Sequence, residues 1–153
     1  MKKLVPSFLL LLLPFFLHAQ TNDVDSLKQL LQAETSDTGR VILLNQISKL
    51  LVINHADTAL ILSQRALALA KKTGFKKGEA TSLNRIANVF AYTGNNPKSL
   101  EFHLEALKKA EVINDETLIA WITGNIGTDY SYQGNEHAAI DYTLKSLGLA
   151  KRM

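Results

Sequence analysis

From about residue 37 onward, apolar side chains recur at separations of three, four and seven, which lays them in one stripe along an α-helix. The stripe then returns at a fixed interval. Leu44-Asn45-Gln46-Ile47-Ser48-Lys49-Leu50-Leu51, Leu83-Asn84-Arg85-Ile86-Ala87-Asn88-Val89-Phe90 and Thr123-Gly124-Asn125-Ile126-Gly127-Thr128-Asp129-Tyr130 align at steps of 39 and then 40 residues. In each, an aliphatic residue is followed by a small one, with a large apolar one three further on: Ile47/Ser48/Leu51, Ile86/Ala87/Phe90 and Ile126/Gly127/Tyr130. A second set keeps a 40-residue spacing: Ala59/Ser99/Ala139, Leu60/Leu100/Ile140, Leu62/Phe102/Tyr142, Leu67/Leu107/Leu147 and Ala70/Ala110/Ala150. Self-similarity at such a period marks a stacked repeat.

Turn signals separate the two sets: Asn54-His55-Ala56-Asp57, Gly94-Asn95-Asn96-Pro97 and Gly134-Asn135-Glu136. Gly94 and Gly134 suit the left-handed position that ends a helix. Asn96 before Pro97 reads as an N-cap with proline at the first helical position, and Asp57 as the cap of its own helix. The unit is a helix, a tight turn and an antiparallel helix, given three times. Ser48, Ala87 and Gly127, opposite Ala59, Ser99 and Ala139, let the two helices of a pair approach closely. Asp23 to Ala33, with Leu27, Leu30 and Leu31 apolar, reads as a short amphipathic helix that covers the first repeat. No such cover is visible after the third, where the sequence given runs to Lys151-Arg152-Met153. Solenoid ends normally carry a polar capping element. Two readings stand: a fragment of a longer array, which is favoured, or an open end that docks on something.

Aliphatic-small-x-x-aromatic on the first helix, a glycine at the turn, then a small residue and a late alanine on the second resembles the tetratricopeptide repeat. The resemblance covers about residues 37 to 153 and is specific because the pattern recurs. It implies an all-α fold, a right-handed α-solenoid of three helix-turn-helix repeats at 37–75, 76–115 and 116–153. A segment at 20–36 carries the short N-terminal capping helix. The chain departs from the family in several places. Its period is about 40 rather than 34, and the proline that usually ends the second helix is missing, leaving Gly74 and Asn114 as the stops. The tryptophan near the start of the first helix is replaced by Leu44, Leu83 and Thr123, and repeat one lacks both turn glycine and aromatic.

The start of the chain reads differently. Lys2 and Lys3 precede an apolar run, Leu4 to Leu17, too short for an ordinary transmembrane helix and interrupted by Pro6 and Pro14. It ends at Leu17-His18-Ala19-Gln20, with small Ala19 as the last residue before a cut. These are the three parts of a secretory signal, so residues 1–19 are expected to be removed, giving an exported periplasmic or secreted protein with no stable membrane insertion. The chain has no cysteine, hence no lipid-attachment site, disulfide or thiolate metal site. Without Lys2 and Lys3 the 17 basic residues fall to 15 against 14 acidic, a formal +1. That balance gives no reason to expect nucleic acid as a partner.

No catalytic or cofactor chemistry emerges from the motifs. Gly74-Phe75-Lys76-Lys77-Gly78 lacks the spacing of a phosphate loop and reads as an inter-repeat turn. His55 and His137 read as turn residues, and His103 falls on a second helix where the family has a large packing residue. None pairs with a carboxylate at metal-ligand spacing, and no serine, histidine and acid constellation is expected. The expectation is no enzyme, no cofactor and no metal.

What remains is the inner face, lined mainly by first helices. Counting off the core stripe leaves Asn45, Lys49, Asn84, Arg85, Asn88, Tyr92, Trp121, Asn125, Thr128 and Tyr132 as exposed groove candidates. The resemblance implies a groove that clamps a peptide or protein surface. Asparagine amides can hold a peptide backbone, Arg85 and Lys49 a carboxylate, and Trp121, Tyr92 and Tyr132 are of the types that dominate interface energetics. The blander alternatives stay open: Asn45 and Asn84 bonding between adjacent helices, and Trp121 packing on repeat two. Lys71-Lys72 and Lys76-Lys77 read as solubilising rather than binding. Function is therefore expected to be a non-catalytic protein-interaction scaffold. The competing expectation is the sensory portion of a longer signalling protein. The Asp25 to Lys28 start and the Leu-Asn-x-Ile helices resemble exported arrays that precede a histidine kinase or transcription-regulator output, which would make further repeats or an output module part of a longer chain.

Overall fold

A computed structural model describes residues 24–152. The expected leader at 1–19, its cleavage point at Ala19, residues 20–23 and Met153 lie outside the described residues. Seven helices follow one another: α1 (Val24–Ala33), α2 (Asp37–Leu51), α3 (Ala56–Thr73), α4 (Lys76–Tyr92), α5 (Asn96–Val112), α6 (Glu116–Tyr132) and α7 (Glu136–Ala150). Among the described residues there is no strand, and no helix is long and apolar enough to cross a membrane.

The stops follow local chemistry. Gly74, Gly94 and Gly134 have positive φ, and Asn114 takes the same left-handed conformation at φ 51°, as the turn signals and the two second-helix stops require. The starts differ from expectation by a residue or two. Asn95, not Asn96, caps α5 by accepting from the Lys98 N–H, which puts Asn96 and Pro97 in the first turn. The cap position of α3 is His55, without a side-chain bond, and Asp57 is the second residue of the helix, in its first turn. Proline lacks an N–H wherever it sits in that turn, so shifting the cap back costs nothing.

α2 pairs with α3, α4 with α5 and α6 with α7, each pair resting on the next through α3 on α4 and α5 on α6. Small residues set the pair distance. Ser48 Oγ donates to the Ala59 carbonyl at 2.8 Å, and a Cβ on Gly127 would stand 2.6 Å from Thr143 Oγ1 and 3.1 Å from the Ala139 carbonyl. The aromatic columns close the same gap: Phe90 stacks on Phe102, and forty residues later Tyr130 stacks on Tyr142, both at 5.5 Å. Repeat one has Leu51 and Leu62 in those positions.

Two apolar clusters form the core. Val41, Leu44, Ala66 and Ala70 pack with Leu31 of α1 and with Phe75. Leu83, Leu107, Leu118, Ile122 and Ile126 pack across α4, α5 and α6. α1 lies on α2, with Leu31 turned in and Leu30 left exposed. At the other end α7 buries only Leu149.

The first helices pack on one another, α2 on α4 and α4 on α6, whereas the backbones of α3 and α5, and of α5 and α7, stay apart; α7 reaches α5 through the half-exposed Lys145–Glu111 pair at 3.5 Å. Inner helices closer than outer ones bend the stack, and its concave face is built from α2, α4 and α6.

Candidate functional site

The concave face holds two adjoining cavities. One, of about 470 Å³, lies between the N-terminal halves of α2, α4 and α6 and is walled by Val41, Ile42, Phe75, Leu118 and Trp121. The other, of about 480 Å³, is walled by Val52, Asn88, Tyr92, Asn125, Thr128 and Tyr132. Lys49 and Arg85 border both. The ten expected groove residues therefore do gather on one face, divided between these cavities. Trp121, Tyr92 and Tyr132 are 60%, 53% and 69% exposed, so Trp121 is not consumed by packing on repeat two.

Asn45 and Asn84 correct the expectation of exposure: they are 4% and 3% exposed. Asn45 Nδ2 donates to Ser82 Oγ at 2.8 Å, tying α2 to α4. Asn84 Oδ1 accepts from Asn125 Nδ2 at 3.0 Å, tying α4 to α6. Both sit on the flank by which one first helix meets the next, so the polar contact that aligns the helices also buries them.

Charge on this face is one-sided. Lys77 and Asp115 pair at 2.8 Å at the edge of the first cavity. Lys77, then the Leu118 N–H, hold the Asp115 carboxyl below its usual value. Lys49 and Arg85 have no ion pair among the described residues. Arg85 is the sharper case. Burial lowers its pKa with no carboxylate opposing, and its Nε is buried without a hydrogen-bond partner. Asn45 Oδ1, in the same cavity, is likewise buried and unpartnered. Each unmet buried polar group costs roughly 1–3 kcal/mol.

Behind the second cavity the structure brings together residues that sequence spacing did not connect. Asp129 of α6 accepts from Ser99 Oγ at 2.7 Å and faces His103 Nδ1 at 2.6 Å, both on α5. His103 Nε2 lies 2.9 Å from Asn88 Oδ1, which also accepts from Asn125 Nδ2 at 3.2 Å. A serine, histidine and acid do therefore meet, contrary to expectation, but not as a nucleophile with its base. Ser99 donates to the carboxylate, its oxygen is 3.4 Å from the nitrogen already bound to Asp129, and all three are buried. The signal in the sequence was His103 itself: a polar ring in a packing column must find partners. His137 also corrects its reading, standing in the first turn of α7 and 3.2 Å from Asp141 at i,i+4. Among the described residues no three metal-ligating side chains cluster.

Helix pairs with this concave, first-helix-lined face define a helical-repeat solenoid. Residues 78–152 match the family model described as tetratricopeptide repeat. Among solved structures, the TPR domain of Arabidopsis FLU is similar with a TM-score of 0.69 at 15% identity, over 77% of this chain and 100% of that one. BtubC (BKLC) from P. vanneervenii is similar with a TM-score of 0.71 at 16% identity, over 86% of this chain and 57% of that one. At such identities these likenesses concern the fold. No curated protein matches the chain. Repeats of this type generally act as non-catalytic scaffolds that bind other proteins.

Proposed function

We propose that this protein is a non-catalytic scaffold that holds an extended, acid-bearing peptide segment of a partner protein in its concave groove. Arg85 carries the reading: a half-buried guanidinium with no acidic partner, between two cavities whose other free cation is Lys49. A ligand carboxylate on Arg85 and Lys49 makes charge-assisted bonds, and its apolar side chains lie on Trp121 or between Tyr92 and Tyr132. The test is peptide display on the full chain. The expected result is enrichment of sequences with an acidic residue, lost in Arg85→Ala at unchanged helical circular dichroism. Enrichment without acids, or equal recovery on the variant, would overturn the reading.

Export before Gln20 is part of the proposal, resting on the Lys2-Lys3 start and the short apolar run that follows. Expression in a bacterial host and N-terminal sequencing of the periplasmic product checks it. A retained Met1 would remove it. A second reading, part of a longer sensory array, draws on α7, whose exposed Ile140, Leu144 and Leu147 repeat an α5 column of which Leu100 and Leu107 pack with α6 while Leu104 stays 39% exposed. A further first-type helix would fit there. Sequencing the transcript beyond the codon for Met153 decides whether one is encoded.

A further inference from the structure

We propose that His103, which does not line the groove, decides which face of the Asn88 amide the groove presents, so that the proton count of a buried imidazole sets the groove's preference for an anion. The inference about anion preference rests on the groove reading above, whereas the coupling between the two side chains stands on geometry alone. Asp129 is an acceptor-only carboxylate, so the His103 Nδ1 facing it carries a proton. The other ring nitrogen faces Asn88 Oδ1 at 2.9 Å. With Asn88 Oδ1 turned to the ring, acceptors face both nitrogens, which is the arrangement of a doubly protonated ring. In that state Asn88 Oδ1 is engaged by His103 and Asn125, while its Nδ2 bonds to nothing else among the described residues and belongs to the groove wall.

Loss of the Nε2 proton reverses the arrangement. A neutral ring protonated at Nδ1 presents a lone pair at Nε2 and needs a donor there. Asn88 supplies one by turning its amide through half a revolution, which brings Nδ2 to the ring and Oδ1 to the groove. Asn125 Nδ2 then loses its bond to Asn88 and keeps the one to Asn84. The groove wall beside Arg85 changes from a donor backed by a cation to an acceptor backed by a neutral ring. Asp129 is the ionisable group facing His103 from α6; α4 contributes Asn88, and α5 itself contributes Ser99. An anion bound in the groove favours the first state, and by reciprocity its binding is accompanied by proton uptake.

The test is nitrogen-15 NMR on the full chain between about pH 5 and 8, the range in which histidine serves as a switch. The expected result is that Nδ1 keeps its proton, Nε2 loses its own, and the side-chain amide signals of Asn88 and Asn125 move in step with Nε2. A ring that does not titrate, or amides that stay still while it does, would overturn the coupling. Asn88→Asp supplies an acceptor with no reversible face. It should hold both ring protons across the range and flatten the Asn125 signal; an unchanged titration would count against the proposal. Sulfate, fully ionised throughout, probes the groove. It should perturb Arg85 Nε–H and weaken about fivefold toward high pH. Equal sulfate affinity at both ends removes the link to anion preference. Coupled amides with no sulfate binding would instead sink the groove reading and leave His103 acting on Asn88.

Discussion

α5 and α7 occupy the same place in successive repeats, and their stripes correspond position by position: Leu100, Leu104 and Leu107 in one, Ile140, Leu144 and Leu147 in the other. Their surroundings do not correspond. α5 packs between α4 and α6, whereas α7 packs on α6 and meets α5 through the half-exposed Lys145–Glu111 pair. Leu107 is 6% exposed and Leu147 49%. Polar ties diverge in the same way. α5 is fastened to α6 by Ser99 and His103 on Asp129, and to α4 by Lys109 on Glu79. α7 is held by Ser146 on the Ala120 carbonyl, by the close fit of Gly127 and by the half-exposed Lys145–Glu111 pair at 3.5 Å. A stripe in a solenoid does not determine its own burial; the next helix does, and stability accrues from neighbour to neighbour.

The sharpest way to break this comparison is to remove the tie that only α5 possesses. Asp129→Ala leaves Ser99 and His103 buried without their acceptor and should cost about 3–5 kcal/mol in urea unfolding. Next, the two helices can be tested at one column. Leu107→Ala should cost about 2–4 kcal/mol and Leu147→Ala only about 0.5; equal losses would mean that α7 is covered in solution. Gly127→Ala works on the attachment of α7. Helix propensity alone favours alanine, but the added methyl meets the Ala139 carbonyl, so a net loss of about 1–3 kcal/mol is expected, with faster amide exchange confined to α7.

The smallest effect belongs to Glu79. Lys109 and then Lys76 hold its carboxyl below the usual value, at 2.8 and 2.9 Å. A depressed folded value means the unfolded chain takes up the proton first. The contribution is complete above about pH 4.5 and is lost as pH falls through the folded value. Both lysines are more than a third exposed, which limits Glu79→Gln to about 1 kcal/mol near neutral pH. Wild type and variant should converge in thermal melts toward strong acid.

Helix ends and the pairing order were legible because they depend on local chemistry: a left-handed residue at Gly74, Gly94, Asn114 and Gly134, and a period that the eye can follow. Cap positions slipped where two competent residues stand side by side, as at Asn95 and Asn96. Asn45 and Asn84 were placed on the correct face but at the wrong depth. A helical wheel knows one partner, whereas a first helix in a bent stack has its own second helix, the next pair and the neighbouring first helix. The meeting of Ser99, His103 and Asp129 was beyond within-helix spacing altogether, because it joins residues 26 and 30 apart through the stacking of α5 on α6.

The sequence contains a single tryptophan, and the fold sets it on the groove wall with its indole largely in water. The protein thus carries an optical gauge of occupancy. A ligand lying on Trp121 draws the ring out of solvent, so its emission moves to the blue and iodide quenches it less. Fraying of α1 or α7 leaves the ring as wet as before. A titration followed at this one fluorophore reads filling of the groove without a label, and largely without interference from loosening at either end.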